Sequence, residues 1–157
     1  MKAFIIPAAA MIMASASALA DSGAAPVHYH SRGMTVIMHS SDDQIGLTQG
    51  ENNLGKPVQF TCSSLAGCVV TLTVTVRVQT RVFTSTCSLV DGVAATPGCP
   101  NDPNSNGDDS FTIRQQTKVV QGTHTIQTKI TAFDDTSTVS GWAAEHTIYE
   151  RKAKGAD

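Results

Sequence analysis

The sequence predicts one all-β domain, an antiparallel β-sandwich, behind an export signal. Three observations support this: several segments alternate apolar and polar residues, turn residues separate them, and no helical periodicity follows the leader. The chain has 157 residues, which is enough for one well-cored domain. Its formal net charge of −2 provides no basic surface for a phosphate backbone, so no nucleic-acid partner is expected.

Residues 1–20 have the pattern of a secretory signal peptide, which we expect to be helical. Lys2 supplies the positive start, residues 3–13 are apolar, and Ala18-Leu19-Ala20 matches a signal-peptidase site. Cleavage is expected after Ala20. An uncleaved anchor is the alternative, but the apolar run contains Pro7 and is too short to cross a bilayer. No second apolar run of membrane length follows, so we expect no membrane span after cleavage. The predicted location is the periplasm or the outside of the cell.

Four cysteines follow the leader, and an even number in an exported chain predicts disulfides. Three pairings are possible, but the local spacing favours Cys62 with Cys68 and Cys87 with Cys99. A zinc site with four thiolates is the alternative. Zinc knuckles normally use Cys-x2-Cys spacing, which this sequence lacks.

The clearest strand is predicted over residues 68–82. Apolar residues recur at even positions between Val70 and Val82, while the odd positions are polar, so one face of the strand should be buried. After Val82 the apolar residues move to odd positions, at Cys87 and Leu89. Such a shift indicates a bulge, or a strand that bends from one sheet into the other.

The remaining predicted elements are short strands separated by turns. The predicted strands cover residues 33–39, 56–62, 110–115, 123–133 and 142–149. Residues 40–55 are predicted to be a loop, and the first disulfide should clip a hairpin at the turn over residues 63–67. The expected domain boundaries are a flexible arm at 21–32, the sandwich at 33–150 and a disordered tail at 151–157.

Two stretches resemble known exported proteins. Gly122-Thr123-His124-Thr125-Ile126-Gln127-Thr128-Lys129-Ile130 resembles the penultimate strand of bacterial immunoglobulin-like and fibronectin-type domains. Phe60-Thr61-Cys62 and Gly67-Cys68, together with residues 86–100, resemble small exported bacterial proteins of no assigned function. The resemblance covers roughly residues 58–150 and implies an immunoglobulin-like sandwich; it implies no particular activity, since sandwiches host many functions.

A candidate calcium loop lies after the last cysteine. The pattern Asp-x-Asn-x-Asn-Gly begins at Asp102 and offers side-chain oxygens from Asp102, Asn104 and Asn106, with Asp108 or Asp109 to complete the shell. The twelfth position is Ile113, where a calcium loop would carry a bidentate glutamate. An ordinary surface turn, which uses the same residue types, is the alternative.

Histidines form a second candidate metal site. His28 and His30 lie on one face of an extended segment, and with His39 or His146 nearby they could bind copper or zinc. A solvated arm is the alternative. His124 and His146 lie on the apolar faces of their strands, where a histidine hydrogen-bonded to the backbone is expected.

No catalytic pattern is present in the sequence. The chain has no Gly-x-Ser-x-Gly elbow, no His-Glu-x-x-His and no phosphate loop. We therefore predict a non-enzymatic binding or structural module whose partner is a protein or a glycan at the cell surface. A pilus-type subunit is the alternative, although the near-terminal tyrosine of such subunits is only poorly matched by Tyr149.

Overall fold

The computed structural model describes residues 25–80, 84–101, 107–133 and 137–152. These ranges contain ten strands and no helix. The strands are β1 Val27–Ser31, β2 Met34–Ser41, β3 Ile45–Gly46, β4 Gly50–Cys62, β5 Cys68–Thr80, β6 Thr84–Val90, β7 Val93–Ala94, β8 Gly107–Val119, β9 Gly122–Ala132 and β10 Thr138–Glu150. The predicted signal peptide and its cleavage site lie outside the described residues.

The strands form two antiparallel sheets, as predicted. Sheet A has the order β1-β2-β10-β5-β8, and β3 also pairs with β10. Sheet B has the order β4-β9-β6-β7. The two segments on either side of the predicted phase shift, β5 and β6, lie in different sheets, so the chain crosses between sheets there. The position predicted for the bulge or bend, near Val82, lies outside the described part of the chain.

The core lies between the sheets. Sheet A contributes the even positions of β5 and β10, including Leu72, Val74 and Ile148, and sheet B contributes Leu54 and Ile130. All of these side chains are buried because alternation turns every second residue of a strand toward the facing sheet. His146 lies on the apolar face of β10, as predicted, together with Trp142, Ala144 and Ile148, and all four side chains are buried.

The first disulfide joins the predicted cysteines, but its place in the fold differs from the prediction. Cys62 and Cys68 are bonded, with 5.9 Å between their Cα atoms, but β4 belongs to sheet B and β5 to sheet A. The bond therefore joins the two sheets and does not clip a hairpin. A short turn can lead into the other sheet as easily as into a hairpin, and the sequence pattern of the turn is the same in both cases.

The second disulfide, between Cys87 and Cys99, holds the segment at residues 95–101 over β6. Gln115 of β8 closes this side of the sandwich. Its side-chain oxygen accepts from the backbone N–H of Ser88 at 2.7 Å, and its amide nitrogen donates to the carbonyls of Ala95 and Gly98. One face of β6 therefore packs in the core, while its other face is buried under the disulfide-linked segment.

This covering makes the polarity of the sequence a poor guide to the orientation of β6. The phase of the sequence points Cys87 and Leu89 inward, but Thr86 and Ser88 face the core, opposite Ile130 and Thr128 of β9. Both faces of β6 are largely buried. Polarity alternation identifies the inward face only when the other face meets water.

Two segments expected to be irregular contain strands. Residues 27–31, placed in the flexible arm, form β1 and pair along β2. Residues 40–55, predicted as a loop, contain β3 and the start of β4, which pairs with β9 from Gly50 onward. Both segments are polar because they lie at the edges or ends of the sheets, where the alternation of apolar and polar residues is weak. No helix in the described ranges is long and apolar enough to cross a membrane.

Candidate functional site

The outer face of sheet A carries a groove of about 410 Å³. Four strands meet there in register: Ala143 of β10 pairs with Ser40 of β2 and Thr75 of β5, and Glu145 pairs with Met38 and Thr73. We call this the outer-face groove. Its lining residues include Val27, Tyr29, Met38, Ser40, Thr73, Thr75, Ala143 and Glu145.

The groove combines an exposed aromatic ring with polar groups. Tyr29 is 58% exposed and Met38 is 44% exposed, which makes one side apolar. Thr73, Thr75 and Glu145 supply hydroxyl and carboxylate groups on the other side, and the small side chain of Ala143 leaves the depression between them. The arrangement can stack against a flat apolar surface and hydrogen-bond its polar edge.

A second depression, which we call the edge cleft, lies between the edges of the two sheets. It has a volume of about 450 Å³ and is lined by His28, His30 and Thr35 from β1 and β2, by Phe60 of β4, and by Glu150. The rings of His28 and His30 are stacked, with 6.3 Å between centroids. His30 Nδ1 lies 3.0 Å from the Thr35 hydroxyl. These are the two histidines proposed from sequence as metal ligands.

Comparisons with known proteins do not place the chain in a family. No protein-family model matches the chain, and no curated protein sequence matches it. Among solved structures, it is similar to the native structure of a family 35 carbohydrate binding module from Clostridium thermocellum. The TM-score is 0.32 and the sequence identity 14%, over 77% of this chain and 98% of the module. The resemblance to exported bacterial proteins therefore stays a prediction, whereas the β-sandwich is observed.

A pair of histidines is buried beneath the outer-face groove. Nε2 of His39 lies 3.0 Å from Nε2 of His146. The rings of His39 and Trp142 are nearly perpendicular, with 4.9 Å between centroids. Burial lowers the pKa of His39 to about 4. Burial, together with repulsion from His39, lowers the pKa of His146 to about 3. Both rings are therefore neutral near pH 7, and one donates the single shared hydrogen bond to the other.

The sequence predicts a hydrogen bond to the backbone for each of the two core histidines, His124 and His146. The structure shows this bond for His124 and a different partner for His146. His124 Nε2 donates to the Val120 carbonyl at 2.9 Å, as predicted. The hydrogen-bond partner of His146 is His39, and Nδ1 of His146 is buried without a partner among the described residues. Since an unpaired lone pair costs less than an unpaired N–H, we infer that His146 Nδ1 carries no hydrogen and that its Nε2 is the donor.

His124 forms an ion pair at the end of the sandwich. Its Nδ1 lies 2.6 Å from Oδ2 of Asp91, whose Oδ1 accepts from the Thr125 backbone N–H. Burial lowers the pKa of His124, but the hydrogen bonds to Asp91 and Val120 outweigh it and raise the pKa overall. The hydrogen bonds from His124 and Thr125 lower the pKa of Asp91. The pair is a structural clamp, since it joins the β6–β7 turn to β9.

The other predicted sites remain untested. Asp102, Asn104 and Asn106 of the calcium loop lie outside the described residues, and of Asp108 only the backbone, in β8, is described. Within the described ranges, no group of three or more histidines, cysteines or acidic residues could hold a metal ion. Tyr149, weighed for the pilus-type alternative, lies in β10, and its side chain is 47% exposed.

Sequence reasoning missed the outer-face groove because its residues come from four strands that are distant along the chain. One signal was present: Ala143 is a small residue at a solvent-facing position, between the buried Trp142 and Ala144. The pairing of His39 with His146 had a similar signal. Each has the same phase as a buried neighbour, Ile37 for His39 and Ile148 for His146, which places both inside.

Proposed function

We propose that this protein is an exported, non-enzymatic binding module that holds a glycan chain in the outer-face groove. The observation that supports this is the position of an exposed ring, Tyr29, across an alanine-floored groove from the Glu145 carboxylate and threonine hydroxyls.

Sugar chemistry matches this lining. A pyranose ring has an apolar face formed by C–H groups, which can stack on the flat ring of Tyr29, and an equatorial rim of hydroxyls. Glu145 accepts hydrogen bonds only, while Thr73 and Thr75 both donate and accept, so together they can satisfy several hydroxyls. Binding sites commonly combine an apolar surface with a few fixed polar groups in this way. An open groove on a sheet suits an extended chain.

Export fits the same proposal. The N-terminal pattern predicts secretion, and the two disulfides are of the kind that persist in oxidising compartments. A rigid, disulfide-linked sandwich presents the groove on strands, which hold side chains more firmly than loops do. A periplasmic or extracellular glycan is therefore the partner that we propose.

The test measures binding of the purified protein to immobilised cell-wall and capsular polysaccharides, in the presence of EDTA. We expect binding to at least one polysaccharide. Tyr29→Ala and Glu145→Gln should each weaken it about tenfold or more, the size expected for a central contact residue.

Two matched variants serve as controls. Tyr149→Ala removes a tyrosine of similar exposure from the same face, outside the groove, and Glu51→Gln makes the same chemical change on sheet B. Both should bind like the wild type. Absence of binding to every polysaccharide, or equal losses in the groove and control variants, would overturn the proposal.

A further inference from the structure

β1 is an edge strand whose outer edge pairs with none of the described residues. Within the described part of the chain it pairs only with β2, and all five of its residues are exposed. Val27–Ser31 contains no lysine, acid, bulge or internal proline, which are the usual devices that keep an edge from pairing. Pro26 precedes the strand and limits any new pairing to these five residues.

The two histidines of this strand make half of a metal shell. His28 and His30 are two residues apart, so they project on the same face, which is the face that borders the edge cleft. The Thr35 hydroxyl contacts Nδ1 of His30 and leaves Nε2 available, as partners of metal-bound histidines commonly do. Zinc and copper sites usually take three or four protein ligands, and the described residues bring no third ligand to this pair.

The strand is almost a palindrome, with the sequence Val-His-Tyr-His-Ser. When this strand pairs antiparallel with β1 of a second copy, with the two Tyr29 residues opposite each other, His28 lies directly opposite the second copy's His30. In the same way, His30 lies opposite the second copy's His28. Side chains directly opposite one another share a face, with about 4.5–5.5 Å between their Cβ atoms. Four imidazoles then lie together on one face of the joined sheet.

We propose that a second copy of this chain docks along β1, and that the two copies hold one divalent zinc or copper ion between their four imidazoles. The interface is two-fold symmetric, so each chain supplies the same two ligands. A five-residue strand pair is too short to hold a dimer by backbone bonds alone, so the metal ion determines whether the dimer forms. On the opposite face the two outer-face grooves lie side by side, which would raise the avidity for a repeating ligand. The dimer itself does not depend on what the grooves bind.

The experiment titrates Zn²⁺, and separately Cu²⁺, into the EDTA-treated and dialysed protein, with calorimetry for stoichiometry and sedimentation for mass. We expect a monomer without metal and a dimer with it, at one ion for two chains. His28→Ala and His30→Ala should each abolish the metal-induced dimer without changing the melting temperature, because both side chains are exposed. Thr35→Val should keep the dimer but weaken metal affinity about tenfold.

A charge swap tests the register while keeping both histidines. Tyr29 faces itself across the two-fold axis, so Tyr29→Asp and Tyr29→Lys place like charges opposite each other, and each variant should stay monomeric with Zn²⁺ or Cu²⁺. An equimolar mixture of the two should form a heterodimer. The proposal is wrong if neither ion binds, if one ion binds each chain without dimerisation, if dimers persist in the histidine variants, or if the mixture stays monomeric.

Discussion

The Nε2 atoms of His39 and His146 lie 3.0 Å apart in the interior of the sandwich, on neighbouring strands of sheet A. His146 is fully buried and His39 is 8% exposed. At this distance the two rings cannot both be charged without strong repulsion. The folded protein therefore keeps both neutral, whereas the unfolded chain protonates each near its usual pKa of about 6.5.

This pair predicts that the protein loses stability in mild acid. The folded pKa values, about 4 for His39 and about 3 for His146, lie below the unfolded value, so the unfolded chain binds protons first. The contribution of the two neutral rings to the free energy of unfolding is complete above about pH 6.5 and decreases as the pH falls toward 4. The expected slope is about 1.4 kcal/mol per pH unit for each histidine. Urea unfolding at pH 7, 6, 5 and 4 measures it.

The matched variant is the double change His39→Leu and His146→Leu. It removes both titrating groups while keeping apolar volume, so its stability should vary much less between pH 6.5 and 4 than that of the wild type. Parallel pH profiles for the two proteins would contradict the assignment of the acid sensitivity to this pair.

The ion pair of His124 and Asp91 has the opposite effect at high pH: its contribution to stability decreases as the pH rises. The pKa of His124 is raised, so its contribution is complete below about pH 6.5 and is lost as the pH rises through the folded pKa. The pKa of Asp91 is lowered, so its contribution is lost as the pH falls below about 3.8. Asp91→Asn should cost about 1 kcal/mol near pH 5.5, since Asp91 is half exposed, and less at pH 8.

Asparagine is chosen because Asp91 has a φ of +52°, which asparagine tolerates. The variant therefore removes the charge and one of the two acceptor oxygens, and it leaves the backbone of the turn intact. Thermal melting at pH 5.5 and 8 checks the prediction, and an equal loss at both values would mean that His124 is not charged in the wild type.

Gly55 packs against the Trp142 ring, and replacing it should destabilise the protein strongly. A Cβ atom at this position would lie 2.6 and 2.7 Å from two ring carbons, and the φ of +69° is already unfavourable for alanine. Gly55→Ala should cost about 2–4 kcal/mol and alter the fluorescence of Trp142, which is the single tryptophan in the chain.

Gly92→Ala provides the matched control. Gly92 has a similar φ of +80°, but no atom lies within 4 Å of the position that an alanine methyl group would take. The substitution should cost only about 1–2 kcal/mol, the backbone contribution alone, and leave the fluorescence unchanged. Equal losses in the two variants would show that the ring contact contributes nothing.

The disulfide between Cys87 and Cys99 should stabilise the fold by about 2–3 kcal/mol, from the entropy of the loop that it closes. Replacing both cysteines by serine should lower the melting temperature by several degrees. Differential scanning calorimetry with and without reductant measures this. If the variant melts at the same temperature as the oxidised wild type, the bond does not constrain the segment over β6.

The sequence by itself was enough to predict the fold class, both cysteine pairs and the buried face of β10, because these depend on local patterns. Alternation in β5 and β10 identifies an inward face without any knowledge of the neighbouring strands. The same reasoning placed His124 and His146 inside. Polarity does not identify the inward face of β6, because a second layer covers the face that would otherwise meet water.

Only the tertiary structure decided which strands are neighbours, and the candidate sites depend on that. Strand pairing joins residues more than a hundred positions apart, as in His39 with His146, and no local pattern determines the order of strands in a sheet. The outer-face groove, the sheet-to-sheet disulfide of Cys62 and Cys68, and the outer edge of β1 all follow from that order. Local side-chain chemistry determines which residues are buried, whereas contacts across the whole chain determine which of them meet.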